Sequence, residues 1–326
     1  MLPPALMQNE QDLPVEMLNS AASGRIYKAF GLIVSMPLDC PELAAASSHP
    51  VIDDPDVIVS FGDVPAELPK PKARGACYQT MPGQLLLQVD RVARFLVRNG
   101  NEITIDRHSE ASDDCVRLFL LGSAFGALLQ QRGNLVLHGS TIQVDDACVV
   151  FLGKSGAGKS TLATALRNRG YICLGDDLCA IEIREDGVPS AFPAYPQAKL
   201  WAETLDRFQL DPTSLRRVRP ALEKHALPFQ ANSSDGPFPI KRLYILTPAK
   251  DRQDIHMHQM SGPGIIRALR DHSYRLWFLE GLAKQVSHFQ QIARIANSTP
   301  VMRVQRPERR FLLDELVDVV EKDFRS

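Results

Sequence analysis

Net charge, paired cysteines and long apolar runs are all missing from this 326-residue chain. Its 37 basic and 38 acidic residues leave a formal net charge of -1, which excludes bulk electrostatic attraction to nucleic acid or to an anionic membrane. Cys40, Cys77, Cys115, Cys148, Cys173 and Cys179 are scattered without a CxxC pair, and several fall in apolar runs. They read as buried thiols in a reducing compartment, so the expectation is a cytoplasmic protein. The longest apolar stretch, Leu118 to Leu129, is flanked by Arg117 and Arg132. A bilayer span needs about 20 residues, so this stretch reads as a buried helix. The start of the chain has no basic segment leading into an apolar core, so no secretory signal is expected. No repeat or low-complexity tract is present, and the length suits two domains or one large one.

What is present is an eight-residue pattern. Gly153, Lys154, Ser155, Gly156, Ala157, Gly158, Lys159 and Ser160 spell GxxxxGK[ST], the phosphate-binding loop, with Thr161 following. Ala147 to Leu152 upstream is an apolar, β-branched run that reads as a buried strand. Thr161 to Arg169 downstream is rich in helix formers and stops at Gly170. Strand, glycine loop and helix form the context that distinguishes a working loop from a chance match. Glycines let successive N–H groups turn toward phosphate oxygens, and the helix N-terminus adds its partial positive charge. Lys159 suits the β- and γ-phosphates, and the Ser160 hydroxyl suits Mg²⁺. The chain is therefore expected to bind a nucleotide with Mg²⁺.

Two adjacent acids, Asp176 and Asp177, follow after one helix and one strand. A helix from Lys159 to Arg169 descends about 16 Å from the loop at 1.5 Å per residue. The strand Tyr171 to Gly175 climbs about 16 Å back at roughly 3.3 Å per residue. The acids thus return to the level of the phosphates, at the carboxyl end of a strand parallel to the first. One acid suits Mg²⁺ and the other suits an acceptor's proton, as in a kinase. On the other side, Thr141 to Val144, Asp145-Asp146 and Ala147 to Leu152 read as a hairpin with a two-residue turn. If Val144 faces Ala147, then Thr141 faces Val150 and His138 reaches Gly153 at the opening of the loop. A histidine there could bond a γ-phosphate oxygen or tune the acid that takes the proton.

The chain divides on its pattern into a loose lead-in over 1–23, a β-rich N-terminal domain over 24–112, a connecting helix over 113–133 and a nucleotide domain over 134–326. Candidate strands are Arg25 to Met36, Asp56 to Phe61 and Gln84 to Val89, then Ala93 to Arg98 and Glu102 to Ile105 joined at Asn99-Gly100. Ser112 or Asp113 caps the connecting helix and Gly133 stops it. Arg216, Arg217 and Arg219 lie with Lys224 and His225 in what reads as a polar loop. Arg267, Arg270 and Arg275 lie on or after a helix opened by Ser261 and Pro263. All of these cations have a solvated surface reading beside a phosphate-clamping one. Phe311, Leu312, Leu316, Val319 and Val320 form the stripe of a core-facing helix or a subunit contact, so a homo-oligomer is compatible.

The order Leu137-His138-Gly139, then GKSGAGKS, then Gly175-Asp176-Asp177 resembles the catalytic domain of HPr kinase/phosphorylase. The block Pro193-Ala194-Tyr195-Pro196-Gln197-Ala198-Lys199-Leu200-Trp201 resembles a stretch of stand-alone HPr kinase-like proteins, some of which phosphorylate a serine on lasso-type precursor peptides. The glycine-bearing segment that follows the acids in HPr kinases proper is replaced here by that block. The resemblance implies an α/β fold of the HPr kinase/phosphoenolpyruvate carboxykinase type behind a small β-rich domain. It implies transfer from ATP, with Mg²⁺, to a serine hydroxyl of a peptide or protein; the balanced charge points to no nucleic acid and no membrane as partner. It assigns Asp176 as base with His138 assisting, which leaves Asp177 and Ser160 for the metal, and it marks Lys199 as a candidate substrate contact. A small-molecule phosphotransferase and a non-catalytic ATP-binding regulator are the other two classes that use such a loop.

Overall fold

The computed structural model describes residues 24–45, 54–195, 197–218, 222–229, 236–308 and 310–326. The lead-in over 1–23, Pro196 and Arg219 lie outside them. The fold is mixed α/β, with two large sheets that differ in how they are covered.

The first sheet comes entirely from the N-terminal third. Its strands are β1 (Arg25–Ala29), β2 (Leu32–Met36), β3 (Ala44–Ala45), β4 (Val57–Phe61), β5 (Ala73–Gly75), β6 (Tyr78–Met81), β7 (Gln84–Val89), β8 (Ala93–Arg98) and β9 (Glu102–Arg107). They lie in the order β3-β1-β2-β4-β9-β8-β7-β6-β5. The run Arg25 to Met36, expected as one strand, is a hairpin that turns at Phe30 and Gly31. Phe30 is buried in the core, so the hydropathy pattern shows no dip at the turn. The β8–β9 hairpin does turn at Asn99-Gly100, both with positive φ.

The connecting helix runs as α1 (Asp113–Phe119), a π-helical segment over Leu120–Ala124, and α2 (Phe125–Arg132). Ser112 caps it, its hydroxyl accepting from Cys115 N, and Gly133 ends it. Its apolar side packs on the first sheet together with Leu178, Ala180, Tyr195, Phe278 and Leu282. Arg117 bonds Glu42 at 3.1 Å, and Arg216 bonds both Glu42 and Asp114, so this ion cluster also joins distant parts of the chain.

The second sheet contains β10 (Leu135–Leu137), β11 (Gly139–Val144), β12 (Ala147–Leu152), β13 (Ile172–Gly175), β14 (Cys179–Ile183) and β15 (Pro189–Ala191). A separate two-stranded hairpin follows as β16 (Gln197–Trp201) and β17 (Lys224–Pro228). The sheet is completed by β18 (Phe238–Ala249), β19 (His256–Gln259) and β20 (Val301–Pro307). Its main order is β10-β14-β15-β18-β12-β11-β13, with β20 pairing both β18 and β19. Because β10 and β11 are consecutive yet stand near opposite ends of that order, the sheet is curled. β12 is flanked by antiparallel β11 and parallel β18. β13 pairs antiparallel with β11 and so runs with β12, one strand removed.

β12 is buried on both faces, which explains its unbroken apolar run. Cys148, Val150 and Leu152 face one layer, with Ile265, Leu269, Ile292 and Ile295. Those four come from α5 (Pro263–Asp271) and α7 (Gln285–Ser298); between these lies the short α6 (Phe278–Gly281). Val149 and Phe151 face the opposite layer, with Leu162 and Leu166 of α3 (Lys159–Asn168) and Leu316, Val317, Val320 and Phe324 of α8 (Leu313–Arg325). Leu316 and Val320 of the expected stripe therefore face the core and Val319 is half-buried, whereas Phe311 and Leu312 precede the helix, with Phe311 50% exposed.

Candidate active site

The glycine loop leaves β12 at its carboxyl end, where ligands of α/β sheets gather. Gly156 and Gly158 hold φ of +82° and +100°, backbone that side chains disfavour and that turns peptide groups inward. A Cβ at Gly156 would meet nothing within 4 Å, so conformation and not crowding selects glycine there. Lys159 opens α3 and donates from Nζ to the carbonyls of Gly153 at 2.9 Å and Lys154 at 3.3 Å. Burial pulls its pKa down, Asp176 and Asp177 pull it back up, and Lys224 pulls it down again.

β13 delivers the two acids to the start of α3, and they differ in exposure and partners. Asp176 is 2% exposed. Its Oδ1 accepts from the hydroxyls of Ser160 at 3.0 Å and Ser140 at 2.5 Å, and its Oδ2 accepts from the Lys199 backbone N–H at 3.1 Å. Asp177, at φ +74°, turns instead into a cavity of about 440 Å³ that the glycine loop also lines. There it pairs with Lys199, Nζ to Oδ2 at 2.5 Å. Burial pushes the Asp177 carboxyl up, but Lys199 and then Lys224 outweigh it and hold it below the usual range. The converse applies to Lys199, which burial lowers and Asp177 holds up.

The hairpin register is Val144 with Ala147, Thr141 with Val150 and Gly139 with Leu152. One residue further on, His138 marks where the chain leaves β14 and joins β12, so its backbone N–H finds neither strand and donates to His272 O at 2.8 Å. Its ring borders the cavity, with Nδ1 at 3.0 Å from the Asp177 carbonyl. A carbonyl only accepts, so Nδ1 carries the proton and Nε2 is the acceptor of the neutral ring. Burial, then Lys159, lowers the His138 pKa, which keeps the ring neutral at neutral pH.

The block around Lys199 shows why it carries those residues. Tyr195 is buried edge-on against Phe30 at 6.0 Å, and its hydroxyl donates to Leu121 O in the π-helical segment at 3.2 Å. Pro193 O accepts from Phe30 N, and Ala194 N donates to Leu174 O. The block is thus fastened to the first sheet, the connecting helix and β13, and it emerges at Lys199 beside both acids. Ala194 lies so close to β13 that a Cβ on Gly175 would stand 2.5 Å from the Ala194 Cβ.

Several contributors carried no signal in the sequence. Arg306 of β20 braces the loop from outside, donating to Ala157 O at 3.0 Å and Gly156 O at 3.3 Å. At the cavity mouth Arg207 of α4 (Ala202–Arg207) lies over the Phe311 ring, 4.1 Å from its centroid. Ser140 lies on β11, two residues past His138, and carried no signal either. Lys224 and His225, expected in a polar loop, open β17, where Lys224 pairs in register with Trp201 and borders the cavity. Arg217 pairs with Glu223 at 3.1 Å, and Arg267 with Asp271 at 3.9 Å, outside the site.

No model of a known protein family matches the sequence, and no curated protein is similar to it. Among solved structures, the Hpr(Ser) kinase/phosphatase from Coxiella burnetii is similar over 58% of this chain and 89% of that one, at 14% identity and a TM-score of 0.29.

Proposed function

We propose that this chain is an ATP-dependent phosphotransferase of the HPr kinase type that phosphorylates a serine hydroxyl on a peptide or small protein. One observation carries the reading: the loop Ser160, the buried Asp176 and the cavity-facing Asp177 meet at the end of β12, where GKSGAGKS would hold a triphosphate. The order of the His138, loop and acid-pair motifs supports it.

The donor set suits Mg²⁺. Ser160 Oγ and Asp176 Oδ1 are hard oxygens already in contact, and Mg²⁺ takes few protein ligands beside water and phosphate. The bound ion would neutralise phosphate charge. The geometry favours reversing the roles that the resemblance assigns within the pair. Asp176 has both oxygens engaged and belongs with Ser160, whereas Asp177 faces the space an acceptor hydroxyl would enter. As the serine oxygen bonds the γ-phosphorus, the bond to the bridging β–γ oxygen breaks and ADP leaves. The serine proton passes to the Asp177 carboxylate. Lys199 must loosen from Asp177 for this, since the ion pair suppresses its basicity. His138, neutral and bonded to the Asp177 carbonyl, fixes the backbone that presents the acid.

The test is incubation with γ-labelled ATP and serine-bearing peptides, read by mass spectrometry for a gain of about 80 Da, the mass of PO₃H replacing hydrogen. Lys159→Ala should abolish both ATP binding and the gain. A variant that transferred phosphate at the parent rate, or an AMP product, would overturn the reading.

A further inference from the structure

Three lysines from two walls share the cavity: Lys159 from the loop, and Lys199 and Lys224 from the β16–β17 hairpin. Two of them are engaged, Lys159 with loop carbonyls and Lys199 with Asp177. Lys224 has no ion pair or side-chain hydrogen bond among the described residues; its Nζ lies 5.9 Å from the Trp201 ring centroid. Of the cavity's other acids, Glu203 pairs with Arg207, and Glu308 has no ion pair with Lys224. Lys224 is thus a half-buried ammonium that opens onto a cavity where the nearby acid, Asp177, is already paired with Lys199. A polyanion that entered between the walls would give it a partner.

The walls divide that polyanion between them. The loop amides and Lys159 approach from the β12–α3 side, where the β-phosphate is cradled. The hairpin approaches from the side of Asp177, the group assigned above to the incoming hydroxyl. Lys224 lines the same cavity as Asp177, Lys159 and the loop residues Ser155, Gly156 and Gly158, so it opens onto the space that the acid and the loop share. Between a cradled β-phosphate and an attacking hydroxyl lies one group, the γ-phosphoryl.

Resting on the phosphotransferase reading, we propose that Lys224 is a catalytic lysine that contacts the γ-phosphoryl oxygens from the hairpin, opposite Lys159. The charge on those oxygens is what the transition state spreads and a fixed cation stabilises. The contact exists only when the nucleotide has a γ-phosphate, so Lys224 tells ATP from ADP, whereas Lys159 serves both. It also draws the hairpin onto the bound triphosphate, which gives Lys199 a phosphate to turn to as Asp177 is released.

The experiment compares ATP and ADP binding, both with Mg²⁺, by calorimetry in the parent chain, Lys224→Gln and Lys224→Arg, alongside single-turnover transfer to the peptide. Lys224→Gln should weaken ATP about tenfold and ADP less than twofold, and slow transfer about 100-fold. Lys224→Arg keeps the charge and should restore most of both. Unchanged melting temperatures would show that the fold is intact. Equal weakening of ATP and ADP, unchanged affinities, or a loss confined to the KM for the peptide would each overturn the proposal. A parent chain that bound no ATP would instead overturn the phosphotransferase reading itself.

Discussion

Removing Lys199 isolates the energetics of the site from its chemistry. Its ammonium and the Asp177 carboxylate meet at 2.5 Å, with side chains 12% and 20% exposed. Breaking a fully buried pair by deleting one partner costs about 3–5 kcal/mol. Here the residual solvent, and Lys224 nearby, reduce that to about 2–3 kcal/mol for Lys199→Met at pH 7. Asp177→Asn removes the stranded charge, so Lys199→Met/Asp177→Asn should recover about 1.5–2 kcal/mol relative to the sum of the single variants. The penalty should also depend on pH. Without Lys199, burial dominates and raises the Asp177 carboxyl above its unfolded value of about 3.9. The folded variant then takes up a proton more readily than the unfolded chain, so its deficit shrinks as pH falls from 7 toward 5. Urea unfolding of the four proteins at both pH values measures all of this. Additive single variants, with a coupling below about 0.5 kcal/mol, would refute the claim that the pair is a unit.

Asp176→Asn should raise the Mg²⁺ needed for ATP binding, while Asp177→Asn should keep MgATP binding and lose transfer by about 10²–10⁴-fold; titration calorimetry and single-turnover assays separate them. Gly175→Ala places a methyl 2.5 Å from the Ala194 Cβ and should cost about 1–3 kcal/mol, read as a lower melting temperature. His272 and His288 are pulled down to about 4, chiefly by burial. The unfolded chain therefore binds protons first as pH falls below about 6.5, and stability should drop by about 1 kcal/mol per histidine at pH 5.5. A melting temperature that stayed flat between pH 7 and 5.5 would contradict this.

The parts of the site legible in the sequence are those set by short-range arithmetic. The Asp145-Asp146 turn fixes the β11–β12 register, and with it the approach of His138 to the loop. One helix and one strand return Asp176 to Ser160. What stayed hidden depends on partners far along the chain. Arg306 lies about 150 residues from the carbonyls it braces, and no periodicity encodes that meeting. Lys224 looked like a loop residue because its neighbours are charged; pairing with β16 makes it a strand. The split between Asp176 and Asp177 depends on a positive φ at Asp177, which adjacent identical residues cannot announce.

Tyr195 carries a consequence for how such a chain could be cut or recombined. Its ring sits in the same core as β1, β2 and the connecting helix, together with Phe278 and Leu282 from beyond the loop. The segment that ends at Lys199 is therefore held in place by residues that precede the glycine loop by more than a hundred positions. A boundary drawn at Gly133 runs through packed side chains, not through a linker. Removing the N-terminal sheet would strip Phe30 from the Tyr195 ring and loosen the segment that carries Lys199 to the two acids.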